Sequence, residues 1–195
     1  VYDLNEQKVG TTDDVDKKFV PASLTKLFTI QFALEHLDPE EIVEVGTGSI
    51  SYVKKGGSTA GLLPGQVSVE DLIQASLIPS GNDACYALAA AAGRKLMQDE
   101  GALAKDSIAR FSDELREYLD KNGYRSTKIT DPAGDAEKDS TSAKDLIRIT
   151  TEVLENPAVD QAVRLDHIVP DPGISSSEIW LTTNAYLNPN AGMYH

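Results

Sequence analysis

Between Leu24 and Leu37 the chain places apolar residues at Leu24, Leu27, Phe28, Ile30, Phe32, Ala33, Leu34 and Leu37, and the run stops at Asp38-Pro39. Spacings of three and four residues predict a helix. So many apolar positions leave that helix almost no solvent face, which calls for a domain that packs around it. Lys26 lies inside this run, so its side chain is expected to be partly buried. Burial disfavours the ammonium and lowers a lysine pKa, which makes the amine a usable base near neutral pH. Ser23, just after Pro21-Ala22, falls where a helix cap is expected. Three residues apart, Ser23 and Lys26 share one helical face, close enough to exchange a proton. A hydroxyl beside such a base, at a helix N-terminus that favours developing negative charge, is the arrangement of an activated nucleophile. The same spacing also describes a capping serine with a solvated lysine, and the motif alone does not separate the two.

A second Ser-x-x-Lys occurs at Ser51-Tyr52-Val53-Lys54. It precedes Lys55-Gly56-Gly57, reads as strand or loop, and has no apolar helix behind it. Ser23 and Lys26 are therefore the pair expected to carry chemistry.

At 195 residues the chain suits one domain able to bury a real core. Hydrophobic residues at 41% and charged residues at 25% describe a folded globular protein. The net charge of -13 argues against nucleic-acid binding and supplies no basic patch for anionic lipid. No apolar run reaches the length of a membrane span. The chain starts abruptly in a strand-like pattern, Val1-Tyr2-Asp3-Leu4, as expected where a leader has been removed. Its single cysteine, Cys85, forms no internal disulfide and is read as a small packed hydrophobe.

In chain order, Val1–Leu4 and Val9–Thr12 read as two strands joined by a turn. Asp13, Asp14 and Asp16 lack the glycine and terminal glutamate of a calcium loop and read as a solvated turn. Ile42 to Gly65 reads as short strands and a loop. Ser68-Val69-Glu70-Asp71 is a capping-box-like start to a helix that Pro79 ends. A small, apolar helix follows from Asp83, and another runs from about Ser107 to Asn122 with Ile108, Phe111, Leu115 and Leu119 as its stripe. Thr127–Thr130 reads as a short strand, Asp131–Asp139 as a polar loop, and Ser142 as the cap of a helix ending at Asn156-Pro157. Glu178–Thr183 reads as a strand around Trp180, and residues 184–195 as a loop. His36, His167 and His195 are scattered and receive no catalytic role.

Between the helix from Ser68 and the helix from Asp83 stands Ser80-Gly81-Asn82. Such a turn presents a hydroxyl and an amide side by side. The amide can hold a peptide carbonyl, and the hydroxyl can relay a proton towards a leaving nitrogen. An ordinary Asn/Ser turn capping the next helix would look the same.

Together, Pro21-Ala22-Ser23-Leu24-Thr25-Lys26 and Ile78-Pro79-Ser80-Gly81-Asn82-Asp83-Ala84 resemble the first two motifs of the active-site serine penicillin-recognising enzymes. The similarity is to their low-molecular-mass D-alanyl-D-alanine carboxypeptidases. Leu63-Pro64-Gly65, Val69-Glu70-Asp71-Leu72, Thr127–Pro132, Ser140–Leu146 and Asn184-Ala185-Tyr186-Leu187 extend it over most of the chain. The resemblance implies an α/β (α+β) fold of the β-lactamase/transpeptidase type, a helical cluster packed on an antiparallel sheet. It implies catalytic roles for Ser23, Lys26 and Ser80, substrate binding by Asn82, and no metal or organic cofactor. The implied substrate is a peptidoglycan stem peptide ending in D-Ala-D-Ala, with β-lactams as acylating mimics, at the bacterial cell surface or periplasm.

One departure stands out: neither Lys-Thr-Gly nor Lys-Ser-Gly occurs in the sequence. In the family that triad lies on the inner edge strand of the sheet and helps hold the substrate carboxylate. Residues 1–195 are thus expected to form a catalytic domain incomplete at its C-terminal end, with the closing strands in further sequence or another chain and membrane contacts in segments outside this chain. The Ser23 helix would then lie open over some of Leu24, Leu27, Phe28 and Ile30. A class A β-lactamase is disfavoured, because no Glu-x-x-Leu-Asn segment is present; a catalytically silent cell-wall binding relative is the other alternative.

Overall fold

The computed structural model describes residues 14–188 together with the backbone of Tyr2–Asp3 and Lys8–Val9. In chain order the elements begin with strands β1 (Tyr2–Asp3), β2 (Lys8–Val9) and β3 (Lys18–Phe19), then a 3-10 turn (Ala22–Leu24) running into helix α1 (Thr25–Leu34). Strand β4 (Ile42–Val45), the one-turn helix α2 (Thr47–Ile50) and strand β5 (Gly65–Ser68) lead to helices α3 (Val69–Leu77), α4 (Asn82–Met97) and α5 (Ala104–Lys121). Strand β6 (Thr141–Ser142), helices α6 (Ala143–Val153) and α7 (Pro157–Ala162), and strands β7 (His167–Ile168) and β8 (Trp180–Leu181) complete it.

Helix α4 is the centre. Every residue from Asn82 to Arg94 is buried, which small side chains make possible: Ala84, Ala87 and Ala89 to Ala92 allow neighbouring helices to approach on all sides. At Gly93 the approach is extreme, since a Cβ there would stand 2.0 Å from the carbonyl oxygen of Ser107 at the start of α5. Against this surface α5 lays Ile108, Phe111, Leu115 and Leu119, the stripe expected from their spacing. Phe111 meets Phe32 of α1 at a ring-centroid distance of 5.1 Å. Trp180, from β8, joins the same core.

The caps behave as the sequence predicts at two helices. Ser68 accepts from the Asp71 amide at the start of α3, and Ser142 from the Asp145 amide at the start of α6. The antiparallel component takes the form of four separate two-stranded pairs: β1–β2, β3–β6, β4–β5 and β7–β8. Pairing of β3 with β6 brings residues 18–19 against 141–142, so the segment just before Ser23 lies beside the 127–142 region.

Several expectations need correcting. Thr127–Thr130 is not a strand; it contributes one bridge, Lys128 to Ser140. Asn156-Pro157 is not merely a stop, because Asn156 caps α7 by accepting from the Ala158 amide at 3.0 Å and Pro157 occupies its first turn. Phe28 and Ile30 are fully covered, while Leu24 is 47% exposed and Leu27 half-buried. The open side of α1 is thus confined to Leu24 and Leu27, two of the four residues named for it. At the N-terminus Tyr2–Asp3 pairs with Lys8–Val9, so the second strand begins at Lys8, one residue earlier than read; Asp13, His195 and residues 189–194 lie outside the described residues.

Candidate active site

Ser23 does not cap a helix. It sits inside the 3-10 turn, which has no side-chain cap bond, and its hydroxyl is used sideways. Lys26 Nζ lies 3.1 Å from Ser23 Oγ, and Ser80 Oγ lies 3.1 Å from it on another side. Ala22, just before the serine, has φ 49°, and Ser80 has φ 59°. Both are left-handed conformations that non-glycine residues adopt at a cost, and such positions concentrate at functional sites.

Lys26 is 2% exposed. Its ammonium donates to Ser23 Oγ and, at 3.1 Å, to the carbonyl oxygen of Ala133. Burial drives its pKa below the usual lysine value, and the carboxylates of Asp135, Asp131 and Asp83 oppose that only partly. When Lys26 is neutral, the same 3.1 Å separation lets the Ser23 hydroxyl donate to the amine. Lys26 therefore lies beside Ser23 and is destabilised as a cation.

Asn82 opens α4 with its amide nitrogen donating to Asp135 Oδ2 at 3.2 Å, while its backbone N–H donates to Ser58 O at 2.9 Å. Ser23, Lys26 and Ser80 thus form one chain of contacts, and Asn82 stands beside it on the Asp135 side. An open cleft of about 390 Å³ lies over the serines, walled by Leu24, Leu27, Leu77 and Thr183.

The second Ser-x-x-Lys does not come together. Ser51 Oγ donates to Gly48 O, and exposed Lys54 instead donates to the backbone carbonyl of Asp135 at 2.6 Å. Cys85 is fully buried on α4, and burial raises its thiol to about 11. A thiol held protonated in this way is a packing group, as its sequence context suggests.

What the sequence does not reveal is the loop from Asp131 to Asp135. Asp131 Oδ1 accepts from the amides of Ala133 and Asp135, at 2.9 and 3.1 Å. Its other oxygen accepts from the Tyr86 hydroxyl at 2.8 Å. Pro132 O accepts from Thr29 Oγ1 at 2.7 Å. Asp-Pro-Ala-Gly-Asp reads as turn chemistry, but nothing local in it points to a lysine a hundred residues away.

The architecture is that of the penicillin-binding DD-peptidases. The crystal structure of the Streptomyces K15 DD-transpeptidase superposes with a TM-score of 0.79 at 23% identity, over 96% of this chain and 73% of that one. Penicillin-binding protein 6B of Escherichia coli superposes at 0.72 with 26% identity, over 93% and 56%. Residues 1–167 match the peptidase S11 family, D-alanyl-D-alanine carboxypeptidase, and the chain belongs to that family. The D-alanyl-D-alanine carboxypeptidase DacA of Escherichia coli K12 is 32% identical over 159 residues, 76% of this chain and 36% of that protein. DacC of the same organism is 40% identical over 100 residues, 46% of this chain and 24% of that protein. The chain therefore spans well under half the length of these curated relatives. Among the described residues no helix is long and apolar enough to cross a membrane.

Proposed function

We propose that this chain carries the acylating centre of a serine D-alanyl-D-alanine carboxypeptidase that acts on peptidoglycan stem peptides outside the bacterial cytoplasm. The observation that carries this reading is the run of contacts Lys26–Ser23–Ser80 with the lysine buried. In the reaction, Ser23 Oγ bonds to the carbonyl carbon of the penultimate D-Ala while its proton passes to neutral Lys26. The tetrahedral adduct collapses with cleavage of the C–N bond, and Ser80 relays the proton to the departing amine of the terminal D-Ala. Asn82, its amide oriented by Asp135, holds the peptide backbone, and the Ser23 amide is one oxyanion donor. Water then cleaves the ester. The family's Lys-Thr-Gly triad, which serves there as carboxylate anchor beside the second oxyanion donor, is absent from these 195 residues. β-Lactams, as mimics of the D-Ala-D-Ala end, acylate the same oxygen.

The test is a fluorescent penicillin added to the full-length protein, followed by peptide mass spectrometry. A stable adduct on Ser23, absent in Ser23→Ala, supports the reading. An adduct on Ser51 or no adduct overturns it, and rapid turnover of the penicillin reassigns the protein as a lactamase.

A further inference from the structure

The loop from Asp131 to Asp135 reaches Lys26 and Asn82 of the candidate centre and the residue before Ser23. Its Ala133 carbonyl holds Lys26, its Asp135 carboxylate holds the Asn82 amide, its Pro132 carbonyl holds Thr29 of α1, and Gly134 lies against the backbone of Ala22. What gives the loop its shape is one carboxylate. Asp131 Oδ1 gathers the amides of Ala133 and Asp135, so the chain curls around it and the Ala133 carbonyl is turned towards Lys26 Nζ. The other Asp131 oxygen is tied to the Tyr86 hydroxyl, and Tyr86 is a buried residue of α4, the most deeply enclosed helix. The ring of Tyr86 also meets that of Tyr52 at a centroid distance of 5.3 Å, tilted by 52°.

We infer that Asp131, anchored by Tyr86, is a positioning residue that holds Lys26 in line with Ser23 and places a negative charge behind it. The inference deepens the acyl-enzyme reading above and rests on it. Two functions are separable here. The hydrogen bonds set where the Ala133 carbonyl and the Asp135 carboxylate stand. The charge acts on Lys26 through space, alongside Asp135 from the same loop and Asp83 from α4, while the Cys85 thiol of α4 stays protonated.

Two substitutions divide these functions. Asp131→Asn keeps an acceptor oxygen for both amides and reverses the bond to Tyr86, its NH₂ donating to the phenol oxygen, so the loop is retained while the charge is lost. Loss of a nearby negative charge lowers the Lys26 pKa further. If neutral Lys26 is the base, the rising limb of the pH profile for penicillin acylation then moves to lower pH, by about half a unit or more. Asp131→Ala removes acceptor and charge together. The loop relaxes, water reaches Lys26, and the limb moves to higher pH while the plateau rate falls on the order of 10²-fold, as expected for a misplacement of about 1 Å. A merely structural aspartate would lower both rates through unfolding and leave the limb where it is.

The experiment measures acylation of the full-length protein by a fluorescent penicillin across pH, with thermal melts of each variant. Opposite displacement of the limb in Asp131→Asn and Asp131→Ala, in proteins that melt cooperatively, supports the inference. Coincident profiles in all three proteins overturn it, and so does an unmoved limb with lowered rates. If Asp131→Ala does not fold, Tyr86→Phe takes its place: it frees one Asp131 oxygen, and the expected result is a plateau rate lowered by about three- to tenfold, the loss of one hydrogen bond. An unchanged Tyr86→Phe rate overturns the anchor. Absence of acylation in the unsubstituted protein is a different result, which removes the acyl-enzyme reading itself.

Discussion

The carbonyl oxygen of Ala22 occupies the space that a side chain on Gly134 would need: a Cβ at that position would stand 2.0 Å from it. Gly134 also has φ +86°, and Ala22 itself φ 49°. The residue before the candidate nucleophile therefore lies directly against the backbone of a loop from across the fold.

Gly134→Ala is expected to destabilise the protein by at least about 2 kcal/mol, combining overpacking with an unfavourable backbone conformation. Gly56→Ala is the matched control, because Gly56 has nearly the same φ, +87°, and nothing within 4 Å of its added Cβ. It should cost only about 1 kcal/mol, the conformational part. Denaturant melts of the two variants make the comparison; equal losses would mean that the Ala22 contact has no energetic role.

Lys26 yields a prediction with a sign in pH. Its folded pKa is depressed, chiefly by burial, below the 10.5 of the unfolded chain. Between those two values the unfolded state binds the extra proton, so the lysine's contribution to stability rises with pH. Below the window the full penalty of burying an ammonium is present. Lys26→Met lacks that penalty, so it should be more stable than the unsubstituted protein at pH 7, with the difference shrinking as pH rises towards 10.5. The same variant should not acylate. Lys26→Arg, which stays charged, should acylate at least about 10²-fold more slowly. A methionine variant with a pH-independent stability difference would show that Lys26 is not destabilised by burial.

The parts of this site that could be read from the sequence are those made of near neighbours. Ser23 and Lys26 are three residues apart and Ser80 and Asn82 two, so a helix period and a turn place each pair without knowledge of the fold. The Ala133 carbonyl is different: it reaches Lys26 across 107 positions of chain, and a backbone acceptor carries no side-chain signature at all. Asp131 and Asp135 look like any polar loop until the chain folds back. Similar reasoning explains α7, where Pro157 reads as a helix stop yet serves as the first residue of the next helix, an N-terminal role that proline fills equally well. Thr127–Thr130 has β-forming residues, but only Lys128 finds a bridge partner, because pairing is a tertiary property. Phe28 and Ile30 are closed off by packing that the helical period of α1 could not reveal.

Cys85 should leave an alkaline signature. Burial holds its thiol protonated up to about 11, from an ordinary value of 9.0. The folded state therefore retains a proton that the unfolded state loses, and stability present below pH 9 is given up as pH rises through 11. The shift corresponds to roughly 3 kcal/mol at full extent. Cys85→Ala should flatten this part of the stability curve, although it loses some packing at neutral pH. The intact protein's thiol should also react with a disulfide reagent at pH 8 only on the timescale of unfolding. Rapid labelling of the native protein would contradict the buried placement.

The last prediction concerns the segment that flanks Asn82 from outside. Asp83 is 1% exposed and grips residues 60–62 by two backbone bonds, Ala60 N to Oδ1 at 2.8 Å and Leu62 N to Oδ2 at 3.0 Å. From the opposite side, the Ala60 carbonyl accepts from Trp180 Nε1 at 2.8 Å, Ser175 Oγ at 2.8 Å and Ser177 Oγ at 3.0 Å. The two grips are unequal in kind. Removing the Asp83 carboxylate leaves two buried amides without acceptors, each costing about 1–3 kcal/mol. Removing the indole N–H leaves a carbonyl that still has two donors, at a net cost of about 0.5–1.5 kcal/mol. Asp83→Ala should therefore destabilise by about 3 kcal/mol or more, and Trp180→Phe by clearly less. The chain has one tryptophan, so its emission isolates this contact. Asp83→Ala should shift that emission to the red in the folded protein, because the freed segment lets water reach the indole. An Asp83→Ala variant that melts within about 1 kcal/mol of the parent, with unchanged emission, would show that residues 60–62 are held by their packing and not by the carboxylate.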